Sequence, residues 1–160
     1  MIVAGLGACG VAMGANFYLD QRRSEYANTS ERLDAMSADI QEDTRNVIAR
    51  TETAQAVMQE DKSRLQRIQQ EMETQQLDQE AAKDDLAAID SNIEILRRDL
   101  VNMNKKSDEY QAVAAAEQGE ASPEEMARIE QDIDVMNQQV LALQQEVDDL
   151  YNMRSAITLG

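Results

Sequence analysis

The chain has 160 residues, with 31 acidic and 15 basic side chains, no histidine and a single cysteine, Cys9, and its formal net charge is −16. So negative a chain repels nucleic-acid phosphates, and one cysteine cannot form an intramolecular disulfide. Without histidine, Ser-His-Asp and Cys-His catalysis and the Glu-x-x-His motif of helical di-iron sites are excluded. Aromatic residues are only 3%, and the apolar content is mostly aliphatic and Met, which is typical of long helices. We therefore expect an all-α, non-enzymatic protein with neither cofactor nor metal and no nucleic-acid partner.

The most apolar stretch is at the N-terminus. Residues 1–19 carry no charged side chain and are followed by Asp20, Arg22 and Arg23. Nineteen helical residues extend about 28 Å, close to the roughly 30 Å of a bilayer's hydrocarbon core. The sequence therefore predicts a single-pass transmembrane anchor at 1–19, with the side of the membrane left open. Gly10 and Gly14, four residues apart, would let this helix pack closely on another membrane helix.

Two alternatives to a spanning anchor remain open at this stage. Residues 6–9, which read LGAC, resemble a bacterial lipobox, and a lipid attached at Cys9 would then anchor the chain. An apolar end buried against protein is the other alternative. A cleaved signal peptide is disfavoured because no basic residue precedes the apolar run.

A seven-residue pattern runs without a break from Tyr26 to Ala114. A sustained period of seven predicts a left-handed coiled coil. We expect one long helix from Asp20 to Glu117, whose first part, residues 20–78, is a proximal stalk. The apolar positions of the seven-residue pattern form a stripe along the helix, here named the seam. Polar residues interrupt the seam of the proximal stalk, and no other segment of the chain is expected to cover it. A second copy is then the expected partner of the apolar seam residues, which are Met58, Leu65, Ile68 and Met72.

Turn signals interrupt the helical pattern at residues 117–123. Gly119 suits the left-handed conformation that closes a helix, while Ser122, Pro123 and Glu125 form the start signal of the next one. Residues 79–160 are therefore predicted to form an antiparallel helical hairpin, with Met136 beside Leu100. The residues of its seam are Leu86, Ile89, Ile93, Leu96, Leu100, Met103, Met126, Ile129, Ile133, Met136, Val140, Leu143, Val147 and Leu150.

Together these elements favour a membrane-anchored structural or scaffold protein that pairs with itself or with other helical proteins. Between Glu117 and Arg154 there are ten acidic and two basic residues, so the distal end suits a basic protein surface. The layout of anchor and coiled rod is similar to that of the inner-membrane spanins of phages, which would imply a mechanical role in envelope lysis or fusion. It is also similar in length and layout to the b subunits of ATP synthases, which would imply a stator-like stalk of a membrane machine.

Overall fold

A computed structural model describes residues 15–160, and these residues are all-helical, with no strand among them. The four helices are α1, Ala15–Glu25; α2, Thr29–Glu73; α3, Gln79–Glu117; and α4, Pro123–Ser155. The predicted all-α class is confirmed. The described residues divide into two compact units, of which unit 1 comprises 50–100 and 142–160 and unit 2 comprises 15–49 and 101–141.

Unit 1 packs the second half of α2, the first half of α3 and the second half of α4. Asn92 of α3 donates to Asp61 of α2 at 2.7 Å. On the other side of α3, Asp90 accepts a hydrogen bond from Arg154 of α4 at 2.8 Å, and the guanidinium of Arg97 lies 3.9 Å from the ring centroid of Tyr151. Residue numbers rise along α3 as those of its partners fall, so α3 runs antiparallel to both neighbours.

Unit 2 contains α1, the first half of α2, the second half of α3 and the first half of α4. Lys106 of α3 donates to Asp43 of α2 at 2.9 Å. Ser107, the next residue, donates to Asn137 of α4, and Ser37 of α2 donates to Asp132 of α4 at 2.5 Å. These contacts tie all three long helices together, again with α3 antiparallel to α2 and α4.

The heptad seams form the cores of both units. Every residue of the predicted hairpin seam is buried except Met126, which is half-buried. Burying a Leu, Ile or Met side chain stabilises a fold by about 1.5–3 kcal/mol, so these positions supply much of the favourable free energy.

The predicted continuous helix from Asp20 to Glu117 is wrong, because α2 ends at Glu73 and α3 begins at Gln79. Gln75 adopts a φ of 57°, and its neighbour Gln76 donates its N–H to the Glu71 carbonyl at 2.9 Å, which is the Schellman pattern of a helix end. Asp78 then accepts backbone hydrogen bonds from Glu80 and Ala81 at 3.1 and 3.2 Å and caps α3. The chain therefore reverses here.

This reversal also corrects the prediction that residues 20–78 lack an internal partner. Met58, Leu65 and Ile68 are each 1% exposed within the single chain, because α3 and α4 pack over them in unit 1. Met72, near the end of α2, remains 37% exposed. The seam that we expected a second copy to cover is therefore mostly the interior of unit 1.

The turn between α3 and α4 was predicted correctly in part. The backbone N–H of Ser122 donates to Glu125 at 2.9 Å and that of Glu125 donates to Ser122 at 3.2 Å, so the capping box is confirmed. Gly119, however, does not adopt the left-handed conformation. The helix end is closed instead by hydrogen bonds from the N–H groups of Glu120 and Ala121 to the Glu117 carbonyl, at 3.0 and 3.1 Å.

The predicted pairing of Met136 with Leu100 is also wrong. In unit 2, Asn137 accepts from Ser107, a residue one heptad further along α3 than Leu100. In unit 1, Arg154 reaches Asp90. The displacement arises because the turn occupies the whole segment from Gln118 to Ser122, so that α4 starts later than a fold at Gly119 alone would allow.

Among residues 15–160, no helix is long and apolar enough to cross a membrane, and the prediction of a single-pass membrane protein is contradicted. The last residues of the predicted span belong to α1, an 11-residue helix that also carries Asp20, Arg22 and Arg23. Tyr18 and Leu19 turn inward onto unit 2 instead of toward lipid. Residues 1–14, including Cys9, Gly10 and Gly14, lie outside the described part of the chain.

Candidate functional site

A cluster of ionisable and phenolic side chains, here named the tyrosine–carboxylate cluster, lies where α1 meets α2 and α3 in unit 2. The side chains are spaced by four residues along each helix, which places them on one helical face. Together with Glu42 and Glu109 they line a cavity of about 250 Å³. The members of the cluster are Tyr18, Arg22, Asp39, Asp43, Lys106 and Tyr110.

Each aspartate of the cluster accepts from one phenol and one cation. The Tyr18 hydroxyl donates to Asp39 at 2.5 Å, and Arg22 donates to the same carboxylate through Nε at 3.1 Å. Asp43 accepts from the Tyr110 hydroxyl and from Lys106. The two tyrosine rings meet edge to face, with centroids 5.7 Å apart.

Burial, reinforced by the neighbouring carboxylates, raises the pKa of Tyr18 and of Tyr110 well above the usual phenol range. Both phenols are therefore neutral hydrogen-bond donors near pH 7 and are poor nucleophiles or bases. The arrangement stabilises the contact between α1 and the rest of unit 2, because each phenol and each cation of the cluster donates a hydrogen bond to one of its two aspartates.

A second polar site lies inside unit 1. Asp61 and Asn92 are each 1% exposed and are joined by a hydrogen bond of 2.7 Å. Burial raises the pKa of Asp61, against the opposing effects of the bond from Asn92 and of Arg64, whose Nη1 lies 3.8 Å from the carboxylate. The side-chain oxygen of Asn92 is buried without a hydrogen-bond partner among the described residues.

A third feature, here named the α3–α4 groove, is a cavity of about 300 Å³ between these two helices in unit 2. Ala114 and Ile133 are buried at its base, and Glu130 and Asp134 are exposed beside it. No ion pair to either of these two acids occurs among the described residues; the nearby base, Arg128, pairs with Asp34 instead. The other residues lining the groove are Gln111, Ala115, Gln118 and Met126.

Sequence reasoning located these sites unevenly. The heptad pattern from Tyr26 to Ala114 includes the positions of Asp61 and Tyr110, but it gave no sign of Asn92, Asp39 and Asp43, because they flank the seam. The four-residue spacing of Asp39 and Asp43 was a visible signal, yet nothing in the pattern indicated that Tyr18 would meet them. Within residues 15–160 no group of His, Cys, Asp and Glu side chains is placed to hold a metal ion.

No family model matches the sequence, and no curated protein or solved structure is significantly similar to it.

Proposed function

We propose that the chain is a non-catalytic structural protein that acts by binding a basic segment of another protein in the α3–α4 groove of unit 2. The observation that supports this is the composition of the groove. An apolar base at Ala114 and Ile133 lies beside the exposed carboxylates of Glu130 and Asp134. This combination suits an aliphatic side chain flanked by Lys or Arg, or the long stem and charged end of a Lys or Arg itself.

The charge of α4 supports a basic partner. Its two basic residues, Arg128 and Arg154, form ion pairs with acids of α2 and α3. In the part of the chain that the structure describes, the acids of α4 itself therefore have no ion-pair partner. In unit 2, the exposed apolar side chains Val135 and Leu141 lie further along the same helix, at 43% and 55% exposure. Exposed apolar groups among unpaired charges of one sign favour both binding and electrostatic steering of an oppositely charged protein.

We also infer that the seams pack as coiled coils inside the chain. Buried residues at the a and d positions of the heptad and polar pairs at the flanking positions, such as Arg50 with Asp99, are the pattern that knobs-into-holes packing produces.

The test uses the full chain, tagged and crosslinked in its native cells, in three forms. These are the wild type, a groove variant with Glu130→Lys and Asp134→Lys, and a control with Glu52→Lys and Asp84→Lys, which makes the same charge change on exposed positions of unit 1. Proteins that bind through the groove should be recovered with the wild type and the control but reduced about tenfold with the groove variant. An identical set of proteins recovered with all three forms would disprove the role of the groove.

A direct measurement should follow with a synthetic peptide that copies the crosslinked segment of the recovered protein. Its affinity should fall for the groove variant alone and should weaken as salt is added.

A further inference from the structure

We propose that a second copy of this chain is a partner by exchange of α2. In the exchanged dimer, the hinge of residues 74–78 straightens, α2 and α3 become one helix, and α2 of each copy packs on α3 and α4 of the other. This inference rests on the hinge and is independent of the proposed binding groove.

The heptad phase is continuous across the hinge. Met72 at the end of α2 and Leu86 in α3 both occupy position a of the heptad (its two apolar positions being a and d). Gln79 lies midway between them, seven residues from each, and so has the same phase. Ile68 and Ala82 are likewise both d positions, with Gln75 midway. A straightened helix would therefore keep the apolar seams of α2 and α3 on one face.

The turn between α3 and α4 has the opposite property. Ala114 and Met126, the nearest a positions on either side, are twelve residues apart, so a straight helix would rotate the seam of α4 away from that of α3. Pro123 and the capping box of Ser122 and Glu125 also fix the start of α4. Of these two turns, the hinge at 74–78 is the one that can become helix without disrupting a seam.

The closed hinge is strained, and its sequence is compatible with a helix. Gln75 has a φ of 57°, in the left-handed region. This conformation is unfavourable for L-residues with a Cβ, whereas glycine adopts it readily. The hinge sequence TQQLD contains neither glycine nor proline, and each of its residues is tolerated in a helix. Straightening removes the strain at Gln75 and loses the cap provided by Asp78. Short hinges under strain favour this kind of exchange.

The contacts of α2 in unit 1 specify how the copies would pair. Arg50 forms an ion pair with Asp99 at 2.7 Å, and Asp61 accepts from Asn92. A shift of one heptad in either direction would place Asp61 opposite Asp99 or Asp85, which are like charges. Only the native register satisfies these pairs, so the exchanged dimer would repeat between copies the contacts that one chain makes with itself.

The first experiment measures the dimer fraction by size exclusion with light scattering over a range of concentrations, after refolding from denaturant. Gln75→Gly removes the strain of the closed hinge, whereas Gln75→Ala with Asp78→Ala keeps that strain and deletes the cap. Relative to the wild type, the dimer dissociation constant should rise about tenfold for the first variant and fall about tenfold for the second. Identical values for all three chains, or no dimer of the double variant at millimolar concentration, would refute exchange at this hinge.

The second experiment asks which copy supplies α2. Arg67 and Asp85, which form an ion pair across α2 and α3, are replaced as Arg67→Cys and Asp85→Cys in a Cys9→Ser background and joined by a short thiol crosslinker. The isolated dimer should yield covalent dimers on a denaturing gel, and the isolated monomer only an internal link. A dimer fraction that also gives only internal links would show that the copies meet elsewhere and would overturn the proposal. Circular dichroism of both fractions verifies that the variant is folded.

Discussion

At the scale of single residues, the buried carboxylate of Asp61 is the least favourable group of unit 1. It occupies a seam position, its pKa is raised by burial, and the side-chain oxygen of its partner Asn92 has no hydrogen-bond partner within residues 15–160. A buried polar group without a partner costs about 1–3 kcal/mol. An amide at position 61 could accept from Asn92 and donate to that oxygen, so that both groups are satisfied.

We therefore expect Asp61→Asn to stabilise the protein at pH 7 by about 1 kcal/mol, measured by chemical denaturation. The pKa of Asp61 is higher in the folded protein than in the unfolded chain. The ionised carboxylate therefore destabilises the fold progressively as the pH rises above the unfolded-state pKa. The advantage of the amide should consequently shrink as the pH is lowered through the folded pKa of Asp61 toward 4. Asp61→Ala serves as the control and should be destabilising, because it leaves Asn92 without a partner.

The two phenols of the tyrosine–carboxylate cluster make a second residue-scale prediction. Since the pKa of Tyr18 and of Tyr110 is raised in the folded protein, unfolding releases their protons at alkaline pH, and stability falls as the pH rises past 10, the ordinary phenol value.

Absorbance at 295 nm, the band of ionised tyrosine, should show these two phenols ionising together with the loss of helical circular dichroism. Tyr18→Phe and Tyr110→Phe identify their contributions to the signal. Full ionisation of both phenols in protein that is still folded would contradict this expectation.

At the scale of elements, the junctions between helices depend on buried ion pairs. Arg32, near the start of α2, donates to the Tyr26 and Ala27 carbonyls of the preceding turn, both at 3.1 Å, and to Glu117 at the end of α3 at 3.0 Å. Glu117 is 2% exposed and also lies 3.3 Å from Arg23 of α1. One carboxylate thus joins α1 and α2 to the end of α3.

Removing one member of this pair leaves the other charge buried. Arg32→Met should destabilise the protein by about 3 kcal/mol in thermal or chemical unfolding. The double variant Arg32→Met with Glu117→Leu should recover most of that loss, since no buried charge is left unpaired; Arg23 and Glu120, which also lose a partner, are exposed to solvent. If the double variant were as unstable as the single one, the main contribution of Arg32 would be its bonds to the turn carbonyls.

At the scale of the whole molecule, the net charge of −16 is the dominant long-range effect. Mutual repulsion of like charges opposes compaction, and dissolved salt screens it over a Debye length of about 10 Å at 0.1 M. The ion pairs between helices are short and partly buried, so salt weakens them less.

The unfolding temperature should therefore rise as sodium chloride is increased from low concentration to about 0.15 M. A chain with Glu52→Lys and Asp84→Lys, which has a smaller net charge, should show a weaker salt dependence. A fall in the unfolding temperature over this range would mean that ion pairs outweigh repulsion.

Many structural features of this molecule are set by residues close together in the chain, and these were predicted from the sequence by itself. The helical class, the seam residues of α3 and α4 and the capping box of Ser122 and Glu125 follow from side-chain spacing and cap chemistry, which act within a few residues. The reversal at Gln75 and the docking of α1 through Tyr18 could not be predicted in the same way, because they depend on distant partners.

The tertiary structure alone decided where α2 turns back. The heptad phase is the same whether residues 73–79 continue as helix or form a turn, so the pattern cannot distinguish a long stalk from a folded bundle. What distinguishes them is burial: folding back covers Met58, Leu65 and Ile68 within one chain. The sequence by itself determined which side chains need an apolar partner, and the fold determined that α3 and α4 of the same chain provide it.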